Sequence, residues 1–229
     1  MIHHHLSDEM IMAYAAGSLS AGQSMVVACH LDICPDCARR VAEAEVIGGA
    51  MIDDVAPSDL SDGLFEQILL DVEEDQSFPV PQIGRDEAKE GYPEGPVAGE
   101  NPSMPRILFE MIGGDFGAVR WRTVGPGIKQ FLLPVPSSEG EKVRLLKLSP
   151  GFVTPDHSHH GSELTLVLKG SFSDETGRYR AGDIQDAEED RHHQPIADTE
   201  EDCICLVCTD APLEFKGVIT RLLQPIIGI

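Results

Sequence analysis

One histidine and two cysteines near the N-terminus are spaced like the ligands of a metal ion. His30, Cys34 and Cys37 form an H-x3-C-x2-C pattern, and helical residues four apart lie on the same side of the helix. Pro35 predicts that a new helix begins here, which returns Cys37 toward the same point. A helix N-terminus favours the thiolate that zinc requires. We therefore expect a tetrahedral zinc site that needs a fourth ligand.

The histidine run near the start of the chain offers candidates for that fourth ligand. His5 is our choice because it directly precedes a capped helix and so has a defined position, whereas His3 and His4 remain alternatives. A remnant of a purification tag is the other interpretation of this run. Cys29 is expected to pack in the core, because it points roughly 100° away from His30 around the helix.

A second group of potential ligands lies in the C-terminal half. His157 and His159 are two residues apart, so in an extended segment they project to the same side. Glu163 opens the next predicted strand and can return a carboxylate to the same centre. This arrangement predicts a second metal site.

Capping signals predict the helices around the first group. Ser7 is a predicted N-cap, and Gly17 ends the helix that it starts. Ser20 and Gln23 form a predicted capping box for the second helix. A third helix is predicted from Cys34, and a fourth over residues 60–74, where apolar residues recur at helical spacing.

Strand-like segments follow a stretch of different composition. Residues 78–105 are rich in Pro, Gly and acidic residues and have little periodicity, which is typical of a flexible linker. Beyond the linker, short β-rich runs alternate with turn signals, which indicates a sandwich or barrel. These runs are residues 119–124, 128–133, 143–148, 163–168, 178–180 and 203–209.

The charge of the chain limits its partners. The net charge is −22, and residues 1–75 alone hold 15 acidic and 2 basic side chains. Direct nucleic-acid binding is not expected, because contact with phosphates needs clustered Lys and Arg. An acidic helical module could instead cover a basic protein, or its charges could be solvated helix faces. No apolar run approaches the length of a membrane helix and no secretory signal is evident, so we expect a cytoplasmic protein.

Three cysteines fall in one predicted strand near the C-terminus. Cys203 and Cys205 share a face of that strand, while Cys208 points to the other face. The Cys205-x2-Cys208 pair is therefore a poor chelate, and buried, unreactive thiols are the expected state. A part for Cys203 or Cys205 in oxidative sensing is the alternative.

The ligand pattern of the N-terminal part resembles that of the zinc-binding anti-sigma domain. The resemblance covers about residues 1–75 and is carried by His5, His30, Cys34 and Cys37. Members of that family wrap their helices around sigma factors of the extracytoplasmic-function type and block access to core RNA polymerase. The resemblance implies that these residues bind zinc and that a sigma factor is the partner.

Residues 151–170 resemble the first cupin motif, G-x5-H-x-H-x3-E-x6-G, at every fixed position. The resemblance implies that His157, His159 and Glu163 are metal ligands of a cupin β-barrel. In the second cupin motif the ligand precedes the segment that leads into the next strand, which favours His193 over His192. The usual Pro of that motif is missing here, so the register between these two histidines stays open. Three imidazoles and one carboxylate suit Zn, Fe, Mn or Ni.

The order of the two domains resembles that of the ChrR-type family of anti-sigma factors. The fold class predicted on this basis is α + β with two domains, a zinc-bound helical anti-sigma domain and a cupin jelly roll. We expect the helical domain over residues 1–77, the linker over 78–105 and the cupin over 106–229. The family likeness implies two zinc ions per chain, and release of the sigma factor on singlet oxygen or related peroxides.

An enzyme is the competing interpretation. A metal-dependent cupin, for instance a small-molecule dioxygenase, would use a redox metal in the same barrel and treat the helices as an accessory. The acidic N-terminal domain has no evident purpose in that account. We therefore expect a regulator rather than an enzyme.

Overall fold

The structure is a computed structural model that describes residues 2–74, 104–136, 141–159, 161–187, 194–210 and 213–215. The predicted linker lies almost wholly outside the described residues, so the domain boundaries remain predictions. In the described ranges, no helix combines the length and apolar character needed to span a membrane.

Four helices form the N-terminal part, as the capping signals and the helical spacing of the apolar residues predict. The first begins after the N-cap Ser7, and Gly17 follows it at a φ of 65°. The second has the full capping box of Ser20 and Gln23. The fourth begins later than predicted, because Gly63 adopts a φ of 82° in the turn just before it. The helices are α1 (Asp8–Ala15), α2 (Ala21–Ile33), α3 (Pro35–Asp53) and α4 (Leu64–Glu74).

A fifth helix, α5 (Arg106–Ile112), was not predicted. It follows Pro105 and ends at Gly113, whose φ of 73° gives a left-handed C-cap. The backbone N–H of Arg106 donates to the Asp32 carboxylate at 2.5 Å, so the C-terminal half of the chain begins against α2. Seven residues are too few for a clear periodic signal, which is why the sequence pattern did not indicate this helix.

The C-terminal part consists of antiparallel sheets, as the β-rich runs predict. A six-stranded sheet has the order β1-β2-β3-β10-β5-β8, a three-stranded sheet has the order β7-β6-β9, and β4 pairs with β11. The strands are β1 (Arg122–Gly125), β2 (Ile128–Leu132), β3 (Lys142–Leu148), β4 (His157–His159), β5 (Glu163–Lys169), β6 (Ser171–Asp174), β7 (Gly177–Arg180), β8 (Ile184–Ala187), β9 (Ile196–Ala197), β10 (Cys203–Thr209) and β11 (Leu213–Phe215).

The larger hydrophobic core is shared by the two halves of the chain. Val26 and Val27 of α2 belong to the same buried cluster as Leu166 of β5 and Leu206 of β10. A second cluster, which includes Phe172, lies on the opposite face of β5 and β10. Because β5 and β10 are buried on both faces, they read as nearly continuous apolar runs. The helices thus cover one face of the six-stranded sheet.

Polar contacts at the start of α2 fix the helices to the sheet. Glu141, only 5% exposed, accepts hydrogen bonds from the Ser20 hydroxyl and from the backbone N–H of Gly22, the latter at 3.2 Å. A carboxylate at this end of a helix is favoured by the helix dipole. The Gln23 side chain also donates to the Ser162 hydroxyl at 3.0 Å. The capping residues of α2 therefore also bind the β-sheet domain.

Candidate metal centre

The structure brings together His5, His30, Cys34 and Cys37. His5 lies just before α1, His30 is in the last turn of α2, and Cys34 is the residue between α2 and α3. Cys37 follows in the first turn of α3. One ligand atom from each of the four residues lies within 4.8 Å of every other. His3 and His4, the alternatives to His5, are not in this set.

The distances in the set fit a tetrahedral zinc ion. His5 Nδ1 lies 3.3 Å from Cys34 Sγ and 3.6 Å from Cys37 Sγ, and His30 Nε2 lies 3.3 Å from Cys37 Sγ. Zinc bonds of about 2.3 Å to sulfur and about 2.0 Å to nitrogen, at the tetrahedral angle, would separate such atoms by about 3.6 Å. Two imidazoles and two thiolates also form a common donor set of structural zinc.

Burial gives the set the electrostatics of a metal site. His30, Cys34 and Cys37 are at most 1% exposed. Burial, followed by the neighbouring His5, lowers the pKa of His30 to about 4, which keeps the imidazole neutral and able to bind a metal. Burial raises the pKa of the Cys37 thiol to about 11. The buried Cys37 thiol is therefore stable as a thiolate only when a cation is bound, which is the role of zinc.

Cys29 is buried apart from this set, as predicted. Its thiol is 0% exposed in the shared core, and burial together with the nearby charge of Asp32 raises its pKa to about 12, so the thiol stays protonated. Cys29 therefore packs as a small apolar residue.

The second predicted set is only partly described. His157 and His159 lie at the two ends of β4, where they pair with Phe215 and Leu213 of β11. Glu163 is the first residue of β5, is 9% exposed, and accepts a hydrogen bond from the Thr165 hydroxyl at 3.1 Å.

His192 and His193, the two alternatives for the last ligand, lie outside the described residues. Among the residues whose side chains are described, the N-terminal set is the cluster able to hold a metal. The ligands of the cupin site therefore remain a prediction.

The cysteines of β10 divide between the two faces of the strand, as the period of two predicts. Cys203 and Cys205 lie in the cluster with Phe172, whereas Cys208 lies in the shared core. The two sulfur atoms of Cys203 and Cys205 are 3.7 Å apart. The Cys203 thiol and burial both raise the pKa of Cys205, which makes it a weak nucleophile at neutral pH.

Comparison with known proteins assigns both halves of the chain. A family described as the ChrR cupin-like domain matches residues 110–212, and a zinc-finger family matches residues 7–38. The anti-sigma-E factor ChrR of Cereibacter sphaeroides is 40% identical over 229 residues, which are the whole of this chain and 99% of that protein.

Solved structures agree with this assignment. The crystal structure of Rhodobacter sphaeroides SigE in complex with the anti-sigma ChrR matches with a TM-score of 0.70 and 37% identity, over 91% of this chain and 99% of that one. An RmlC-like cupin protein from Ralstonia eutropha matches with a TM-score of 0.39 and 19% identity, over 46% of this chain and 71% of that one. That second likeness is too distant to bear on function.

Fold and site together define a two-domain protein in which a helical zinc-finger domain is packed on a cupin-like barrel. The chain belongs to the ChrR family of anti-sigma factors.

Proposed function

We propose that this chain binds and inhibits a sigma factor of the extracytoplasmic-function type in the cytoplasm, and releases it under oxidative stress. The proposal is supported by one feature above all, an exposed apolar surface on the helical domain. We call this surface the helical apolar face. It consists of Val46, Ile47, Met51, Ile52, Val55, Leu60, Phe65, Ile68, Leu69 and Leu70, which are 47% to 76% exposed.

The helical apolar face has the properties of a protein interface. In α4, Phe65 is 70% exposed and Leu70 is 60% exposed, and all residues from Phe65 to Asp71 are exposed to solvent. An isolated helix of this length is marginal in water, so α4 needs a surface to pack against. Large apolar side chains left exposed in this number on α3, on α4 and on the segment between them favour an interaction site here.

The charge around the helical apolar face indicates the kind of partner. No Lys or Arg occurs between residues 41 and 74, whereas acidic residues are frequent there. A partner with a basic surface that includes apolar residues would therefore be favoured. The ChrR that is similar to this chain was crystallised in complex with SigE, and sigma factors bind DNA, which requires basic surfaces.

Two metal sites would serve the two domains. In this proposal, one zinc ion is bound by His5, His30, Cys34 and Cys37. The ion holds the segment before α1 to α2 and α3. His157, His159, Glu163 and His193 would bind a second zinc ion in the cupin. Structural zinc of the first kind contributes an apparent ~10–16 kcal/mol to folding.

The cupin would act in release rather than in binding. Singlet oxygen and related peroxides oxidise His, Cys and Met side chains, and the predicted cupin site is rich in histidine. Oxidation there would weaken the contact of the helices with the sigma factor. The shared core gives such a change a direct route, because β5 and β10 of the barrel touch α2.

Substitution in α4 tests the proposed binding surface. Ile68→Asp places a charge within the helical apolar face. Burial of an unpaired charge at the centre of an interface costs several kcal/mol. The variant should therefore bind an extracytoplasmic-function sigma factor similar to SigE more than 100-fold more weakly. Titration calorimetry with the purified sigma factor measures the affinity. Leu132→Asp is the matched control, since Leu132 is 58% exposed on β2 of the barrel.

The two variants separate the outcomes of this test. Equal affinity of the Ile68→Asp variant and the unchanged chain would contradict the proposed surface. Loss of binding in the Leu132→Asp variant would place the interface on the barrel instead.

A cupin metalloenzyme such as a dioxygenase is the alternative function, and its experimental signature differs. An enzyme of that kind would hold a redox metal, take up oxygen with a small substrate and bind no sigma factor. Metal content and oxygen uptake of the purified chain therefore distinguish the two functions.

A further inference from the structure

The N-terminal arm, residues 2–6, links the zinc set to the cupin barrel. The backbone carbonyl of His4 accepts a hydrogen bond from the N–H of Ile184 at 3.2 Å, at the start of β8. The His4 ring packs on Tyr179 of β7, with 4.3 Å between the ring centroids. Ile2 lies over Gly182, where an added Cβ would come within 2.7 Å of the Ile2 side chain. The arm is thus fixed along the turn between β7 and β8.

A single carboxylate at that turn holds the arm. Asp183 is 0% exposed, and its Oδ1 accepts the backbone N–H of His3 at 2.6 Å and that of His4 at 3.0 Å. The other oxygen, Oδ2, accepts the N–H of Arg180 at 2.9 Å and lies 3.3 Å from His4 Nδ1. One side chain of the barrel therefore binds the two residues that immediately precede the ligand His5.

The arm contacts are needed to hold Asp183 as a buried charge. Burial raises the pKa of this carboxyl group, but the hydrogen bonds from Arg180, His3 and His4 together outweigh burial and lower it overall. A carboxylate removed from water is stable only when donors satisfy it. The arm supplies two backbone donors of this set, so its attachment and the charge of Asp183 depend on each other.

We propose that Asp183, with the turn Arg180–Asp183 of the cupin barrel, is a positioning residue for the zinc site of the helical domain. The barrel holds His5 at the metal through the arm. One of the four ligands of the helical domain is therefore positioned by the barrel domain. This inference rests on the proposed zinc site but does not require that the chain bind a sigma factor.

The test is the retention of metal by the full chain. Cobalt substituted for zinc gives a thiolate-to-metal charge-transfer band only where cysteines are ligands, so this band reports the N-terminal set and not the histidine and carboxylate set of the cupin. We expect Asp183→Asn to speed the transfer of cobalt or zinc to a chelator by about 10- to 100-fold, the range seen when a group that supports a metal ligand is changed, because an amide has one accepting oxygen where the carboxylate uses two. Asp198→Asn is the matched control, because Asp198 binds Ser171 and Arg178 of the same barrel and does not touch the arm.

A second pair of variants leaves the barrel unchanged. The donor to Asp183 at position 3 is a backbone N–H, and the side chain of His3 is exposed. His3→Pro removes that donor, whereas His3→Ala keeps it. We expect metal loss to be faster in the proline variant and unchanged in the alanine variant.

Each outcome has a defined meaning. If the unchanged chain lacks the thiolate band, the zinc site itself is wrong. If the band is present and a folded Asp183→Asn variant loses metal no faster than Asp198→Asn, the positioning role is refuted. If circular dichroism shows that Asp183→Asn unfolds the barrel, the comparison of His3→Pro with His3→Ala becomes the test. Equal rates of metal loss for these two variants would overturn the inference.

Discussion

Each ligand of the N-terminal zinc set depends on a specific local structure. Cys34 ends α2 and starts α3, and Pro35 at the first position of α3 allows the sharp change of direction between the two helices. His30 and Cys37 then lie on adjacent turns that face each other. A metal at this junction would join three segments that have little regular hydrogen bonding between them.

Replacing both cysteines should remove the fold of the helical domain together with its metal. Cys34→Ser with Cys37→Ser leaves two imidazoles, which are insufficient for structural zinc, and the domain loses the ~10–16 kcal/mol that such a site contributes. We expect one zinc fewer per chain by metal analysis and no measurable binding of the sigma factor by calorimetry.

Cys29→Ala is the control for the double cysteine variant. Cys29 is equally buried but lies outside the ligand set, so this variant should keep its zinc and its affinity. Full sigma binding by the metal-free double variant would show that zinc has no structural role.

The residue pattern of the N-terminal set was predictable, and its surroundings were not. His5 could be chosen over His3 and His4 because a capped helix follows it directly, and the structure brings His5 to the other three. Asp183 could not be predicted as a partner of the arm, since it is 180 residues from His3 and no local pattern joins them. Sequence spacing reports short-range geometry, whereas this contact arises from packing of the domains.

At the scale of elements, helix α2 approaches the sheet unusually closely. A Cβ added at Gly22 would lie 2.7 Å from Glu141 Cδ and 2.8 Å from Cys208 Sγ. Both neighbours are buried, and Glu141 is also held by the start of α2. Gly22 is therefore required for contact between the domains rather than for backbone flexibility.

A pair of glycine substitutions tests this contact. Alanine in a helix is normally about 1 kcal/mol more favourable than glycine. At Gly22 the clash should reverse the sign, so that Gly22→Ala destabilises the protein by about 1–3 kcal/mol, as overpacking does. Thermal or urea unfolding of the full chain gives the difference.

Gly49→Ala in α3 is the reference for the glycine pair. Nothing lies within 4 Å of a Cβ added there, so stabilisation by up to about 1 kcal/mol is expected. If Gly22→Ala were as stabilising as Gly49→Ala, the close contact between α2 and the sheet would be wrong.

Element type was predictable where local signals were strong. Capping residues indicated α1 and α2, and buried apolar runs indicated β5 and β10. Strands β6 and β8 contain polar or acidic residues, and β9 has only two residues, so their sequences lack an alternating pattern. Their pairing is determined by the barrel as a whole.

At the scale of the whole molecule, the two domains form one packed unit with separable tasks in our account. The helices carry the helical apolar face, and the barrel carries the predicted cupin ligands. Val26 of the helical domain and Leu206 of the barrel lie in one buried cluster. The barrel therefore supplies part of the core on which the helices pack. A change in one domain can therefore reach the other through this core.

The division of tasks predicts a variant that binds but does not respond. His157→Ala with His159→Ala removes two predicted cupin ligands without changing the helical apolar face. We expect unchanged sigma affinity in calorimetry, and little release of the sigma factor after illumination with a singlet-oxygen sensitiser. The unchanged chain should release its partner under the same light. Loss of binding before illumination would mean that the two tasks are not separable.

The most direct test of the central claim is a transcription assay. Core RNA polymerase transcribes with an extracytoplasmic-function sigma factor similar to SigE, while increasing amounts of the full zinc-loaded chain are added. We predict that transcripts from a promoter of that sigma factor disappear when one chain is present per sigma factor, while transcription with the housekeeping sigma factor is unaffected. Unchanged transcription at a large excess of the chain would contradict the account.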